Sequence, residues 1–179
     1  MTAKLKRGIT KVKDPGSALT HFIAMILAII AAIPLLSKAG HDSGHMRISA
    51  LAIFILSMIG LYAASTIYHT LDISPKINKL LRKIDHMMIF ILIAGTYTPV
   101  CMIVLGDKTG WTMLTLVWGI AIVGILINAL WITCPKWFSS LIYIAMGWVC
   151  ILAITKILSS MPRAGFMWLL AGGIIYTVG

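Results

Sequence analysis

ISALAIFILSMIGLYAASTIYHTLD, residues 48–72, runs from Ile48 to Leu71 without a single Asp, Glu, Lys or Arg. About 20 mostly apolar residues suffice to cross the hydrocarbon of a bilayer as a helix. The apolar character is continuous, whereas a membrane barrel strand would alternate apolar and polar over about ten residues. A helix also satisfies its own backbone hydrogen bonds inside one segment, which lipid demands. The stretch therefore reads as a membrane helix. Near its end stand Ser65 and His69, four residues apart on one helical face, at a depth where polar groups are costly.

The rest of the chain repeats the pattern. Its 179 residues are 60% hydrophobic and 11% charged, with mean hydropathy +0.98, far outside the balance of a soluble domain. Full-length spans are predicted at about 18–37, 48–71, 84–105, 111–133 and 138–158. A sixth apolar segment, 166–179, holds 14 residues and would rise only about 21 Å as a helix. It is expected to be an incomplete span, so the chain reads as truncated within a larger bundle. The first run is too long, and too late interrupted by Pro34, for the apolar core of a cleaved signal. Connections such as AGHDSGH, DISPK, GDKTG, CPKW and SMPRAG are short and carry ordinary helix breakers. The fold class is all-α: one polytopic membrane bundle over 18–179, preceded by a basic tail at 1–17.

A net charge of +10 would suggest nucleic acid in a soluble protein. Here the cations lie between apolar segments and read as topology signals instead, and a nucleic-acid partner is excluded. Lys and Arg number ten on the side holding the amino terminus and the 72–84 connection, and five on the other. The positive-inside rule places the amino terminus in the cytoplasm. Cys101, Cys134 and Cys150 show no CxxC and no paired framework, so they read as small packing residues.

With that orientation His21, His69 and Asp85 share the cytoplasmic level of the membrane. Asp85, in LLRKIDHMMIF, is a carboxylate just inside the third span and calls for a partner. A neutral imidazole such as His69 can ligate zinc through one nitrogen while the other donates to a fixing acceptor. Asp85 can bind the metal or hold and deprotonate its water. Blander roles exist for each residue. Ser65 can bond back to its own helix, His69 can be interfacial, and Asp85 can pair with Arg82 or Lys83. His86 points away from Asp85 around the helix and reads as packing. His41 and His45 in the outer loop are spaced like ligands but suit solvation. Pro99, in GTYTP, should kink the third span, with Thr96 or nearby backbone taking the freed carbonyl. Asn128 suits a bond between helices, and Gly119, Gly124, Gly172 and Gly173 suit close helix approach. The matched patterns Ser17-x3-His21 and Ser65-x3-His69 are too short to imply a duplication.

SALTH at 17–21, ASTIYH at 64–69, RKIDHMMIFILIAGTYTP at 82–99 and YIAMGW at 143–148 together resemble the bacterial haemolysin III family. That family is related to the progestin and adipoQ receptors and, more distantly, to the alkaline ceramidases. The resemblance runs from Asp14 to Gly179 and implies a seven-helix membrane fold. It implies a zinc site near the cytoplasmic face built from a histidine of helix two, an aspartate of helix three and an H-x3-H of helix seven. Those roles fall on His69 and Asp85, with Ser65 as a catalytic-site hydroxyl and His21 supporting. The H-x3-H is absent from these residues. The implied function is a zinc-dependent intramembrane hydrolase of a lipid amide or ester. Its alternatives are a lipid or membrane-state sensor with structural zinc and a pore-forming cytolysin. The implied location is a bacterial cell membrane, with membrane lipids as partners.

Overall fold

The computed structural model describes residues 12–41, 44–131 and 136–178. Helices α1 (Pro15–His41), α2 (His45–Thr70) and α3 (Pro75–Pro99) follow one another, and a π-helical turn (Val100–Leu105) prolongs α3. Then come α4 (Lys108–Leu130) and α5 (Lys136–Gly147), a 3-10 segment (Trp148–Ala153), α6 (Ile154–Ser160) and α7 (Arg163–Val178). Five rods are long and apolar enough to cross a membrane: Pro15–Gly40, His45–Thr70, Pro75–Leu105, Lys108–Leu130 and Trp137–Ser160. Arg163–Val178 is a shorter apolar helix. The architecture is an all-helical membrane bundle, as the sequence predicts.

Sequential helices pack side by side, α1 on α2, α2 on α3 and α3 on α4, while α5 touches α3, α4 and α7. The centre is α3, whose apolar span is 44% buried against 6% for α1. Its Phe90, Ile93, Ala94, Tyr97 and Cys101 meet Met113, Val117 and Ala121 of α4, Met146 of α5 and Ile157 of α6 in one core. By contrast Leu19, Leu27, Ile30 and Ile33 of α1 face outward. Apolar groups outside as well as inside suit a chain whose solvent is lipid.

The third helix begins earlier than its apolar run. Ser74 accepts from the Ile77 N–H at 3.3 Å as an N-cap, and Pro75 occupies the first turn, where its missing N–H costs nothing. Asn78 braces the turn by donating to Asp72 at 2.7 Å and accepting from the Ile73 N–H at 3.2 Å. The predicted 72–84 connection is thus mostly helix, and Lys76, Lys79, Arg82 and Lys83 ride on an extension of α3.

Helix breaks inside the spans are repaired locally. After Pro99 the chain passes into the π turn and closes at Gly106, φ 60°, whose N–H donates to the Cys101 carbonyl at 3.1 Å. The Thr96 and Thr98 hydroxyls donate to Ile93 (2.7 Å) and Ala94 (3.0 Å), the carbonyls two and one residues before that of Gly95, which Pro99 frees and which the sequence reading gave to Thr96 or nearby backbone. Between α5 and α6 the hydroxyl of Tyr97 lies 2.9 Å and 2.7 Å from the carbonyls of Met146 and Gly147 and accepts the Cys150 N–H at 2.9 Å. One phenol on α3 thereby serves the backbone groups freed by the 3-10 segment.

Close helix approach falls at Gly95 and Gly124. A Cβ on Gly95 would lie 2.1 Å from Ser57 Oγ of α2, and one on Gly124 would lie 2.3 Å from the Phe90 ring. Gly119, Gly172 and Gly173, expected to serve the same purpose, have open space around them among the described residues. Asn128 accepts from Ser139 of α5 at 3.4 Å, bridging helices as expected. Cys101 and Cys150 are free thiols packed within the bundle, and Cys134 lies outside the described residues.

Two outcomes follow. Gly95→Ala should destabilise the protein in detergent by about 1–3 kcal/mol through overpacking, despite the better helix propensity of Ala, and Ser57→Gly in the same chain should recover much of the loss. Calorimetric or fluorescence-detected unfolding checks both. On the loop between α3 and α4, Asp107 accepts from the Gly110 N–H at 3.1 Å and pairs with Lys156 of α6. The Lys156 ammonium, foremost, holds its carboxyl below the usual carboxylate range. A depressed folded value means that the stabilisation is full above the unfolded pKa and is lost as pH falls through the folded one. Asp107→Asn should remove that acid-dependent part of the unfolding curve, measured as melting temperature against pH.

Candidate functional site

The end of α2 and the start of α1 meet through backbone first. Asp14 N–H donates to the His69 carbonyl at 2.9 Å, and Lys13 N–H to the Thr70 carbonyl at 3.4 Å. Carbonyls at a helix end have no partners within the helix, so the chain ahead of α1 caps α2. Lys13 Nζ sits 3.6 Å over the Tyr68 ring and adds a cation–π contact.

Side chains then converge on His69. Its Nδ1 is 3.2 Å from the Asp14 carboxylate, which also accepts the Ser17 hydroxyl at 2.9 Å. The His21 ring stacks on it with centroids 5.6 Å apart and planes 22° off parallel, and His21 also meets Tyr62 at 6.1 Å. The two short Ser-x3-His patterns therefore end side by side, with their histidines in contact. An ionised carboxylate only accepts, so this contact suits a ring that carries a proton on Nδ1.

Ser65, a turn before His69 on the same face, is buried. It forms no hydrogen bond among the described residues; the neighbouring Thr66 is the one that bonds back along the helix, to Tyr62 at 2.7 Å. Asp85 is 8% exposed on α3, and no hydrogen bond or ion pair reaches it among the described residues. Its helix neighbours do not neutralise it. Arg82 is exposed, and Lys83 Nζ donates instead to the Ala129 carbonyl at 2.9 Å, capping α4. Among the described residues no buried polar side-chain atom is both sealed and unpartnered, so the Asp85 carboxylate keeps a little exposed surface.

The structure thus joins His21 to His69 and leaves Asp85 without a direct bond to either. No cluster of three or more His, Cys, Asp or Glu poised to hold a metal exists among the described residues. Zinc takes imidazole nitrogen and carboxylate oxygen, and a catalytic ion takes three protein ligands. The imidazole of His69 and the orphan carboxylate of Asp85 are donor groups of that kind, and no contact joins them among the described residues. His45 is exposed at the start of α2, and the side chain of its outer-loop companion His41 lies outside the described residues. His86 contributes a backbone carbonyl, which accepts from Tyr143 at 2.9 Å.

Asp14, and the tie of Ser17 to it, escaped the sequence reading. Their signal was present: Asp14, Ser17 and His21 are spaced i, i+3, i+7 and share one helical face.

The chain matches the family described as haemolysin-III related over residues 9–179. It is 40% identical to Hemolysin-3 of Bacillus cereus over 180 residues, covering 100% of this chain and 82% of that protein. It is 37% identical to the Hemolysin-3 homolog of Bacillus subtilis (strain 168) over 167 residues, covering 93% of this chain and 78% of that protein.

Proposed function

Because the chain belongs to the haemolysin-III-related family of membrane proteins, we propose that it is a zinc-dependent intramembrane hydrolase of lipid amides or esters. The observation that carries this reading is Asp85, a carboxylate buried in an apolar span and without a bonding partner among the described residues. Ionisable groups at such depth are costly and are kept for function. Zinc, when bound, supplies a Lewis acid that brings a water pKa down to about 7.

Everything else is the work of the chain's own groups. His69 offers Nε2 as a donor from a ring already braced by Asp14 and His21. Asp85 accepts a proton as general base, and its freedom from ion pairs leaves its lone pairs available. Ser65, on the His69 face, is placed to donate to a substrate carbonyl and steady it. The outward apolar faces of the helices let an acyl chain approach from within the leaflet.

The site sits at the cytoplasmic face of a cell membrane in this reading, with the amino terminus inside. The cations on the Pro75–Lys83 extension of α3 and Lys13 before α1 support it, since both lie at the same end of the bundle as His69. A cytolytic pore, which the names of the relatives bring to mind, finds less support. The buried polar residues Ser57, Ser65, Asp85, Thr98 and Ser139 form no polar stripe along the length of any one described helix, which a water-filled path would want.

Purified protein supplied with zinc should hydrolyse members of a panel of lipid amides and esters. Asp85→Asn should lower turnover at least about 100-fold, the loss expected of a general base. Stoichiometric zinc without turnover would favour a lipid or membrane-state sensor, and ion flux in liposomes would favour the pore. Orientation is read separately, by single cysteines in a background lacking the native ones. Gly44→Cys has room for a side chain and should react with an impermeant thiol reagent in intact cells, whereas exposed Lys79→Cys should be protected. The reverse labelling would remove the site from the cytoplasmic face.

A further inference from the structure

Asp14 stands immediately before α1 and holds His69 at two points. Its N–H donates to the His69 carbonyl at 2.9 Å, and its carboxylate lies 3.2 Å from Nδ1 of the ring. The carboxylate is itself held by the Ser17 hydroxyl at 2.9 Å, which comes from the first turn of α1. From another direction the His21 ring stacks on the imidazole, 22° from parallel. Rotation of the His69 ring by half a turn would break the Nδ1 contact, and tilting it would break the stack. The imidazole is restrained by three residues of one segment, Asp14, Ser17 and His21.

We propose that Asp14 is a positioning residue: its carboxylate fixes His69 in the Nδ1-protonated tautomer and in one orientation, so that Nε2 is the nitrogen offered to the site. The proposal rests on His69 being a zinc ligand, but the hold of the carboxylate on the ring is measurable without metal. Histidines that bind metals commonly donate their other N–H to a carboxylate, and loss of that outer partner weakens binding about 10–100-fold. The Asp14 side chain is 50% exposed, so water competes for it and the lower end of that range applies. A purely structural tie between the start of α1 and the end of α2 needs only the two backbone bonds, which do not depend on the carboxylate.

The test compares the purified protein with Asp14→Asn, Asp14→Ala and Asp14→Glu, after melting curves have established that each is folded. Long-range nitrogen–proton spectra of histidine-labelled protein, assigned with His69→Gln, report the tautomer at about pH 8, above the ordinary imidazole range. Zinc affinity is read by competition with a chromophoric chelator, using the metal alone. The expected result is the Nδ1–H form in the parent protein. Asp14→Asn should turn it toward Nε2–H, because the amide presents a donor to Nδ1. Asp14→Ala should give a mixture. Both variants should bind zinc about tenfold more weakly, and Asp14→Glu should restore much of the affinity.

An unchanged tautomer in Asp14→Asn and Asp14→Ala overturns the proposal, whether or not zinc affinity or melting temperature moves. A parent protein that binds no zinc removes the ligand reading, and the tautomer comparison still decides whether Asp14 sets the ring.

Discussion

A backbone N–H or C=O left unpaired in hydrocarbon costs several kcal/mol, and this molecule is organised around avoiding that cost. The rule makes each span a helix, and it governs what happens wherever a span is not a regular helix. Pro99 cannot donate, and the chain answers with a π turn that ends in a left-handed glycine. The 3-10 segment between α5 and α6 frees carbonyls and an N–H, and the Tyr97 hydroxyl meets them from α3. At the ends the same accounting continues, with Lys83 on the last carbonyls of α4 and the backbone of Lys13 and Asp14 on those of α2. Side chains that look functional by polarity alone, such as Tyr97 and Lys83, are thereby accounted for as backbone partners.

That accounting is what isolates Asp85. Many polar groups in the spans acquire partners through short-range hydroxyl bonds to the preceding turn, as at Ser57, Thr66, Thr96 and Thr98. A carboxylate has no such local solution, because it accepts and the helix beside it offers no free N–H. Its position on α3 matters as much as its charge. The most buried helix of the bundle is pinned to α2 at Gly95 and to α4 at Phe90–Gly124, so Asp85 sits on an element that cannot readily turn it out to the interface.

Hydropathy made the spans legible because it is local: a run of apolar residues declares itself without reference to any other segment. Less could be read wherever a feature depends on two segments. The start of α3 at Pro75 was hidden by four cations that a hydropathy reading assigns to a loop, although the Ser-Pro cap was visible in DISPK. Gly95 was quoted for the proline that follows it, whereas its absent Cβ matters because Ser57 of α2 lies opposite. Gly172 and Gly173 look like a packing motif in sequence and face open space in the fold. At the candidate site, the types of His69, Ser65 and Asp85 and their places on α2 and α3 were readable. The contact of His21 with His69 was not, since it requires the register between α1 and α2.

That register also explains why a carboxylate at the edge of the bundle has consequence beyond its energy. A carboxylate–imidazole contact as exposed as that of Asp14 with His69 contributes about 0–1 kcal/mol, too little to be what holds α1 against α2. The apolar contact along both helices and the paired backbone bonds already do that. A tautomer, however, is decided by a small difference: about 1.4 kcal/mol between two forms of one ring is a tenfold preference. In the proposed site, an interaction too weak to matter for the fold would still bias which nitrogen of His69 carries the proton. The segment before α1 would then bear on the chemistry through one proton rather than through stability.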